Sequence, residues 1–69
     1  MEQVELSVTG MSCQACEQRI EKALSRLNGV VQVAADHRVA RVRVLFDPVR
    51  TSETDVRSCI EHAGYTVAP

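Results

Sequence analysis

The sequence predicts an α+β domain built as a split βαβ sandwich, in which one four-stranded antiparallel sheet carries two helices on one face. Stretches that alternate between apolar and polar residues indicate strands, and apolar stripes at helical spacing indicate two helices. These elements follow one another in the order β-α-β-β-α-β. Since 69 residues supply only one core and 45% of them are hydrophobic, we expect a single globular domain over residues 1–69.

The first strand and the first helix are predicted from a change in hydrophobic period. Residues 4–8 alternate between apolar and polar, as in a half-buried strand, and Gly10 ends that strand. We expect the helix to begin at Ser12 or Cys13. Asn28-Gly29 predicts a left-handed cap that ends the helix. The apolar stripe of this helix comprises Ala15 or Cys16, Ile20, Ala23, Leu24 and Leu27.

The second and third strands are predicted to form a hairpin. We expect strands from Val30 to Ala35 and from Arg41 to Phe46, joined by a turn at Asp36-His37-Arg38. Asp47-Pro48 stops the third strand, because proline cannot donate a hydrogen bond to the ladder. Alternation in the third strand places Val42, Val44 and Phe46 on one face and Arg41 and Arg43 on the other.

The second helix and the last strand complete the predicted sheet. Thr51 or Ser52 is a suitable cap for the start of the helix, and Gly64 ends it. Tyr65-Thr66-Val67 then reads as a short final strand. The buried stripe of this helix comprises Val56, Cys59, Ile60 and Ala63.

The predicted topology places three connections at one end of the molecule. They are the loop around Cys13, the turn near His37 and the Gly64-Tyr65 junction. We expect any functional site at this end, because the candidate ligands collect there.

Cys13 and Cys16 form a Cys-x-x-Cys pair at the start of the first helix. Unpaired N–H groups and the helix dipole lower the pKa of a thiol there, and thiolates bind soft ions such as Cu(I) or Hg(II). Structural zinc usually needs four ligands, and the sequence has no second Cys-x-x-Cys or histidine pair. We therefore expect a soft-metal site. A thioredoxin-like redox pair has the same spacing and remains the alternative, ahead of two incidental cysteines.

Composition argues against several other classes of function. The net charge of −1 and the single Phe, single Tyr and absent Trp disfavour binding to nucleic acid. Three cysteines, an odd number, do not suit a closed disulfide framework. The sequence shows neither a secretory signal nor about 20 consecutive apolar residues, so we expect a cytoplasmic protein that does not insert into membranes.

The stretch Gly10-Met11-Ser12-Cys13-Gln14-Ala15-Cys16 resembles the G-M-x-C-x-x-C motif of heavy-metal-associated domains. Gly29-Val30, Val42-x-Val44-x-Phe46-Asp47-Pro48 and Ile60-x-x-Ala63-Gly64-Tyr65 are similar to residues of that family, so the resemblance covers essentially the whole chain. The family includes cytosolic copper chaperones, amino-terminal domains of copper-transporting P-type ATPases and a periplasmic mercury-binding protein. Its fold is the ferredoxin-like sandwich.

The resemblance implies a role for each residue of the motif. Cys13 and Cys16 would be the metal ligands, with Cu(I) as the metal, and Met11 would pack inward to support the loop. Tyr65 would shield the site. Ser12 stands where relatives that export zinc often have an acidic residue, which disfavours Zn(II).

The resemblance also implies a function without catalysis, namely delivery of Cu(I) by thiolate exchange to a partner such as a copper-transporting P-type ATPase. The alternatives are an excised metal-binding domain of such an ATPase, an Hg(II) carrier or, less favoured, a thiol-disulfide oxidoreductase. We expect a monomer, with a dimer bridged by a shared metal ion as an alternative state.

Three further residues could bind metal but have simpler explanations. We expect Cys59 to be a small buried apolar residue, His62 a solvated helix residue and His37 a turn residue. A basic strip of Arg19, Lys22 and Arg26 on the first helix would suit an acidic partner, although most such faces are merely solvated.

Overall fold

The computed structural model describes residues 1–68, and the predicted ferredoxin-like sandwich is confirmed. The elements are β1 (Glu2–Thr9), α1 (Gln14–Ser25), β2 (Val30–Asp36), β3 (Arg41–Phe46), α2 (Glu53–His62) and β4 (Thr66–Val67). The four strands form one antiparallel sheet in the order β2-β3-β1-β4. Within residues 1–68, neither helix has the length and apolar character needed to cross a membrane.

One hydrophobic core lies between the sheet and the helices. The predicted inward residues of β3 are buried, while Arg41 and Arg43 lie on the other face and bond to Glu5 of β1 at 2.7 and 3.2 Å. Apolar residues of both helices and of β1 close the core. The buried apolar side chains are Leu6, Val8, Met11, Ile20, Leu24, Val42, Val44, Phe46, Val56, Ile60, Tyr65 and Val67.

The end of α1 differs from the prediction. The helix stops at Ser25, with Arg26 as a cap in the right-handed region, rather than at a left-handed cap formed by Asn28-Gly29. Gly29 does have a positive φ of 103°, but for a different reason. A Cβ there would lie 2.8 Å from the Cβ of Arg50, so the glycine allows the loop after β3 to approach closely.

The two ends of α2 follow the sequence closely. Ser52 is the cap, and its side-chain oxygen accepts the backbone N–H of Asp55 at 3.3 Å. The final strand is shorter than predicted, since β4 contains Thr66–Val67 and Tyr65 precedes it. The hairpin turn spans residues 37–40 because β2 continues through Asp36.

Candidate metal centre

The two thiols of the motif lie together at the start of α1. Cys13 is the exposed N-cap residue and Cys16 lies half-buried in the first turn, with their Sγ atoms 3.3 Å apart. The carbonyl of Cys13 accepts the N–H groups of Cys16 at 3.1 Å and Glu17 at 3.2 Å, which starts the helix. The Cys13 side chain makes no capping hydrogen bond to the described helix, and its sulfur instead contacts that of Cys16.

Cys16 is the thiol that the surroundings activate. Its pKa falls to about 6, first because the backbone N–H of Ser12 hydrogen-bonds to the sulfur, then because of the Tyr65 hydroxyl and the Cys13 thiol. Each of these donors stabilises the thiolate, and together they outweigh the effect of burial. At neutral pH Cys16 is therefore mostly deprotonated, which is the form that binds metal ions and attacks disulfides.

Tyr65 reaches the thiols because of the way α2 ends. The N–H of Gly64 bonds to the carbonyl of Glu61 at 3.0 Å, and the N–H of Tyr65 bonds to the carbonyl of Ile60 at 3.4 Å. This is a Schellman motif, and it requires the positive φ of 101° at Gly64. The buried Tyr65 then lies against Gly10, just before the thiol pair: a Cβ on Gly10 would lie 3.6 Å from its Cδ1 atom.

The pKa of Tyr65 agrees with a hydrogen bond between its hydroxyl and the Cys16 sulfur. It is raised, first by the hydrogen bond to Cys16, then by burial and by the negative charge of that thiolate. Arg19 of α1 acts in the opposite direction. The phenol consequently stays protonated at neutral pH and can keep donating to the sulfur.

Met11 is part of the hydrophobic core. Its side chain is 4% exposed. Ser12, by contrast, is exposed and contributes its backbone N–H to Cys16. The motif therefore contributes a buried apolar side chain, that of Met11, and a backbone N–H, that of Ser12, which donates to the Cys16 sulfur.

His37 lies at the same end but is already engaged. Oε2 of Glu17 lies 2.6 Å from both the backbone N and the Nδ1 of His37, and Oδ1 of Asp36 accepts the N–H of Arg38 at 3.0 Å. Possible ligand atoms of Glu17, Asp36 and His37 fall within 4.8 Å of one another. Sequence reasoning missed the role of Glu17, because its partner lies on a hairpin that only the folded chain brings near.

Cys59 and His62 make ordinary structural contacts. Sγ of Cys59 lies 3.4 Å from the carbonyl oxygen of Ala23, and burial raises the pKa of this thiol. Nδ1 of the exposed His62 lies 2.8 Å from the carbonyl oxygen of Ser58, one helical turn earlier. Arg19 and Lys22 of α1 and the cap residue Arg26 are all exposed.

Comparison with known proteins identifies the family. Residues 5–66 match the heavy-metal-associated domain. The chain belongs to the heavy-metal-associated domain family. The two-thiol loop between β1 and α1 is thus carried on that family's fold.

Several relatives illustrate the family. The copper chaperone CopZ of Bacillus subtilis is 41% identical over 68 residues, which are 99% of this chain and 99% of that protein. A zinc-transporting ATPase of Synechocystis is 36% identical over 64 residues, which are 93% of this chain and 9% of the ATPase. The chain spans only 6% to 9% of the transporting ATPases that it matches.

A solved structure agrees closely over the whole described fold. The crystal structure of a copper binding domain from a P-type ATPase superposes with a TM-score of 0.96 and 37% sequence identity. The match covers 99% of this chain and 92% of that one. The arrangement of strands and helices around the loop is therefore common to both.

Proposed function

We propose that this heavy-metal-associated domain binds Cu(I) through Cys13 and Cys16 and passes it to a thiol site on a partner. The observation that carries the proposal is the pair itself: two sulfur atoms 3.3 Å apart at a helix start, with the pKa of one lowered to about 6. Thiolates are the soft ligands that Cu(I) prefers. The similarity to copper chaperones and copper binding domains supports the choice of metal.

The exposure of Cys13 suits transfer by ligand exchange. A partner's thiolate attacks the bound Cu(I) to form a third copper–sulfur bond, and a copper–sulfur bond of the host then breaks. Cys13 is the host ligand that leaves, because it is exposed while Cys16 is half-buried and bonded to Ser12 and Tyr65. The copper stays Cu(I) throughout, so no electron donor or acceptor is needed.

The partner in this proposal is a copper-transporting P-type ATPase or its soluble metal-binding domains, and the compartment is the cytoplasm. Matches to a complete chaperone and to segments of ATPases support both forms of the protein, a separate chaperone and an ATPase domain. The role is binding and transfer without catalysis.

The local ligand set favours Cu(I) over Zn(II). Ser12 supplies no carboxylate next to Cys13, and the carboxylate of Glu17, the residue after Cys16, is taken by His37. Zinc in a structural site usually has four ligands, whereas two thiolates suffice for Cu(I). Hg(II) shares the preference for two sulfur atoms, so the two soft metals must be compared directly.

The proposal is tested by anaerobic titration with Cu(I), Hg(II) and Zn(II) in competition with chelators. The variants are the double variant Cys13→Ala with Cys16→Ala, and the matched control Cys59→Ala, which removes the thiol that packs against α1. We expect one tightly bound Cu(I) per chain in the wild type and in Cys59→Ala, and its loss in the double variant. Unchanged tight binding in the double variant would show that the site is elsewhere.

A disulfide-reduction assay addresses the redox alternative, since a low-pKa thiol pair also suits thiol–disulfide exchange. We expect no turnover by the wild type beyond the uncatalysed rate. Turnover that disappears in the double variant would instead identify an oxidoreductase.

A further inference from the structure

Two glutamates of α1 bind the free edge of the sheet. Within residues 1–68, β2 is an edge strand, so one side of it has no neighbouring strand. Oε2 of Glu21 accepts the backbone N–H of Ala35 at 3.2 Å, and Oε2 of Glu17 accepts the backbone N–H of His37 at 2.6 Å. The two carboxylates, one helical turn apart, thus satisfy two backbone donors two residues apart, one in β2 and one in the turn that follows it.

Glu17 differs from Glu21 in its connection to the thiol loop. It follows Cys16 directly, and its own N–H donates to the carbonyl of Cys13 at 3.2 Å. Its carboxylate is also held more tightly, because Oε2 contacts both the backbone N–H and Nδ1 of His37 at 2.6 Å. The Glu17 side chain is only 17% exposed. Glu17 therefore joins the first turn of α1 to the hairpin, whereas Glu21 acts one turn further from the thiols.

We propose that Glu17 is a positioning residue for the metal site, fixing the first turn of α1 so that Cys13 and Cys16 are held ready for the metal. This inference rests on the proposed function for its effect on Cu(I). First turns of helices fray easily, because their N–H groups lack intrahelical acceptors. An anchor on the residue after Cys16 restrains that motion, and groups that orient metal ligands contribute strongly to affinity.

An ionised Glu17 side chain is compatible with the positioning of the two thiols. The pKa of its carboxyl is lowered, first by the backbone N–H of His37 and then by the His37 side chain. The negative charge of the Glu17 carboxylate is thus stabilised by His37 of the hairpin. The groups around the carboxylate also include Asp36, whose charge acts in the opposite direction.

The test compares Glu17→Ala with the matched control Glu21→Ala and with the conservative variant Glu17→Gln. Glu21→Ala removes a comparable carboxylate-to-backbone bond, to Ala35 of β2, one helical turn further from the thiols. Glu17→Gln keeps an acceptor for the His37 N–H. Thermal unfolding of all three shows whether each variant folds, and two readouts follow: Cu(I) affinity by chelator competition, and exchange of the Cys16 amide in the metal-free protein.

We expect Glu17→Ala to weaken Cu(I) binding by about tenfold, in line with the loss of other groups that orient metal ligands. Glu21→Ala should stay within about twofold of the wild type, since its contact lies outside the loop. Glu17→Gln should recover most of the loss. The Cys16 amide should exchange faster in Glu17→Ala than in Glu21→Ala.

Equal effects of Glu17→Ala and Glu21→Ala on both readouts would overturn the inference, because Glu17 would then serve only the stability of the fold. Equal Cu(I) affinity in Glu17→Ala and the wild type would also overturn it. Failure of the wild type to bind Cu(I) would instead count against the proposed function. Exchange of the Cys16 amide would still decide whether Glu17 orders the loop.

Discussion

The Sγ atoms of Cys13 and Cys16 lie 3.3 Å apart, although only Cys16 belongs to α1. This is a hydrogen-bond distance, and a metal ion bound between the two sulfur atoms on opposite sides would need a wider gap. If the pair binds a metal ion as proposed, one of the two thiols must therefore move outward. Cys16 is bonded to Ser12 and Tyr65, whereas Cys13 is exposed and caps nothing with its side chain.

The first prediction is that metal loading rotates the side chain of Cys13 and leaves that of Cys16 in place. Side-chain coupling constants measured by NMR on the metal-free and Cu(I)-loaded protein check this directly. A rotation of Cys16 with Cys13 unchanged would contradict the assignment of the mobile ligand.

The second prediction concerns the pH dependence of thiol reactivity. Because the pKa of Cys16 is lowered to about 6, the thiolate is present above that pH and is lost as the pH falls through it. Alkylation followed by site-resolved mass spectrometry should give a midpoint near pH 6 at Cys16. Tyr65→Phe removes one of the donors and should move the midpoint upward. A wild-type midpoint in the ordinary thiol range would disagree with the described contacts.

The third prediction follows from the same pKa shift through linkage. The folded state binds fewer protons at Cys16 than the unfolded state between pH 6 and the ordinary thiol range, so the free energy of unfolding should rise with pH there. Urea unfolding under reducing conditions, compared between wild type and Cys16→Ser, measures the effect. The rise should be smaller in the variant.

The fourth prediction distinguishes two glycines with positive φ. Gly64→Ala should destabilise the fold by about 1–2 kcal/mol, the cost of placing a residue with a Cβ in a left-handed conformation. Among the described residues, apart from Gly64 and its two chain neighbours, none has an atom within 4 Å of the new Cβ. Gly29→Ala should be more destabilising, because its Cβ would lie 2.8 Å from the Cβ of Arg50. Denaturant unfolding gives both values, and the reverse order would refute this explanation of the two turns.

The fifth prediction separates packing from ligation at Met11. If its buried side chain supports the loop by packing, Met11→Leu should keep Cu(I) affinity and lower stability by less than about 1.5 kcal/mol. Met11→Ala should lower stability by about 2–5 kcal/mol, because it leaves a cavity in the core. Chelator competition and urea unfolding report the two quantities. A large loss of Cu(I) affinity in a stable Met11→Leu would indicate a sulfur ligand instead.

Much of the fold could be predicted from the sequence because local pattern and tertiary packing agree. The alternating residues of β3 and the stripe around Val56 and Ile60 are buried as their periods indicate. The predicted end of α1 was wrong. Gly29 does not cap the helix but allows Arg50 to approach closely, and the local sequence does not reveal this contact.

The site was only partly visible in the sequence. The spacing of Cys13 and Cys16 is visible in the sequence, and a role for Tyr65 was implied by the resemblance to the family. The structure brings all three residues together. The contact between Glu17 and His37 could not be predicted in the same way. This contact joins α1 to the hairpin after the edge strand β2. Its donor is a backbone N–H, which almost every residue type has, so the residue type at position 37 does not indicate it.

The most direct test of the central claim is the rate of Cu(I) transfer to a metal-free, soluble metal-binding domain of a copper-transporting ATPase. Cu(I)-loaded protein is mixed with increasing concentrations of that acceptor under anaerobic conditions. Ligand exchange through a shared intermediate predicts a rate that rises in proportion to acceptor concentration and exceeds spontaneous release of Cu(I). A rate that equals spontaneous release and does not depend on the acceptor would contradict the account.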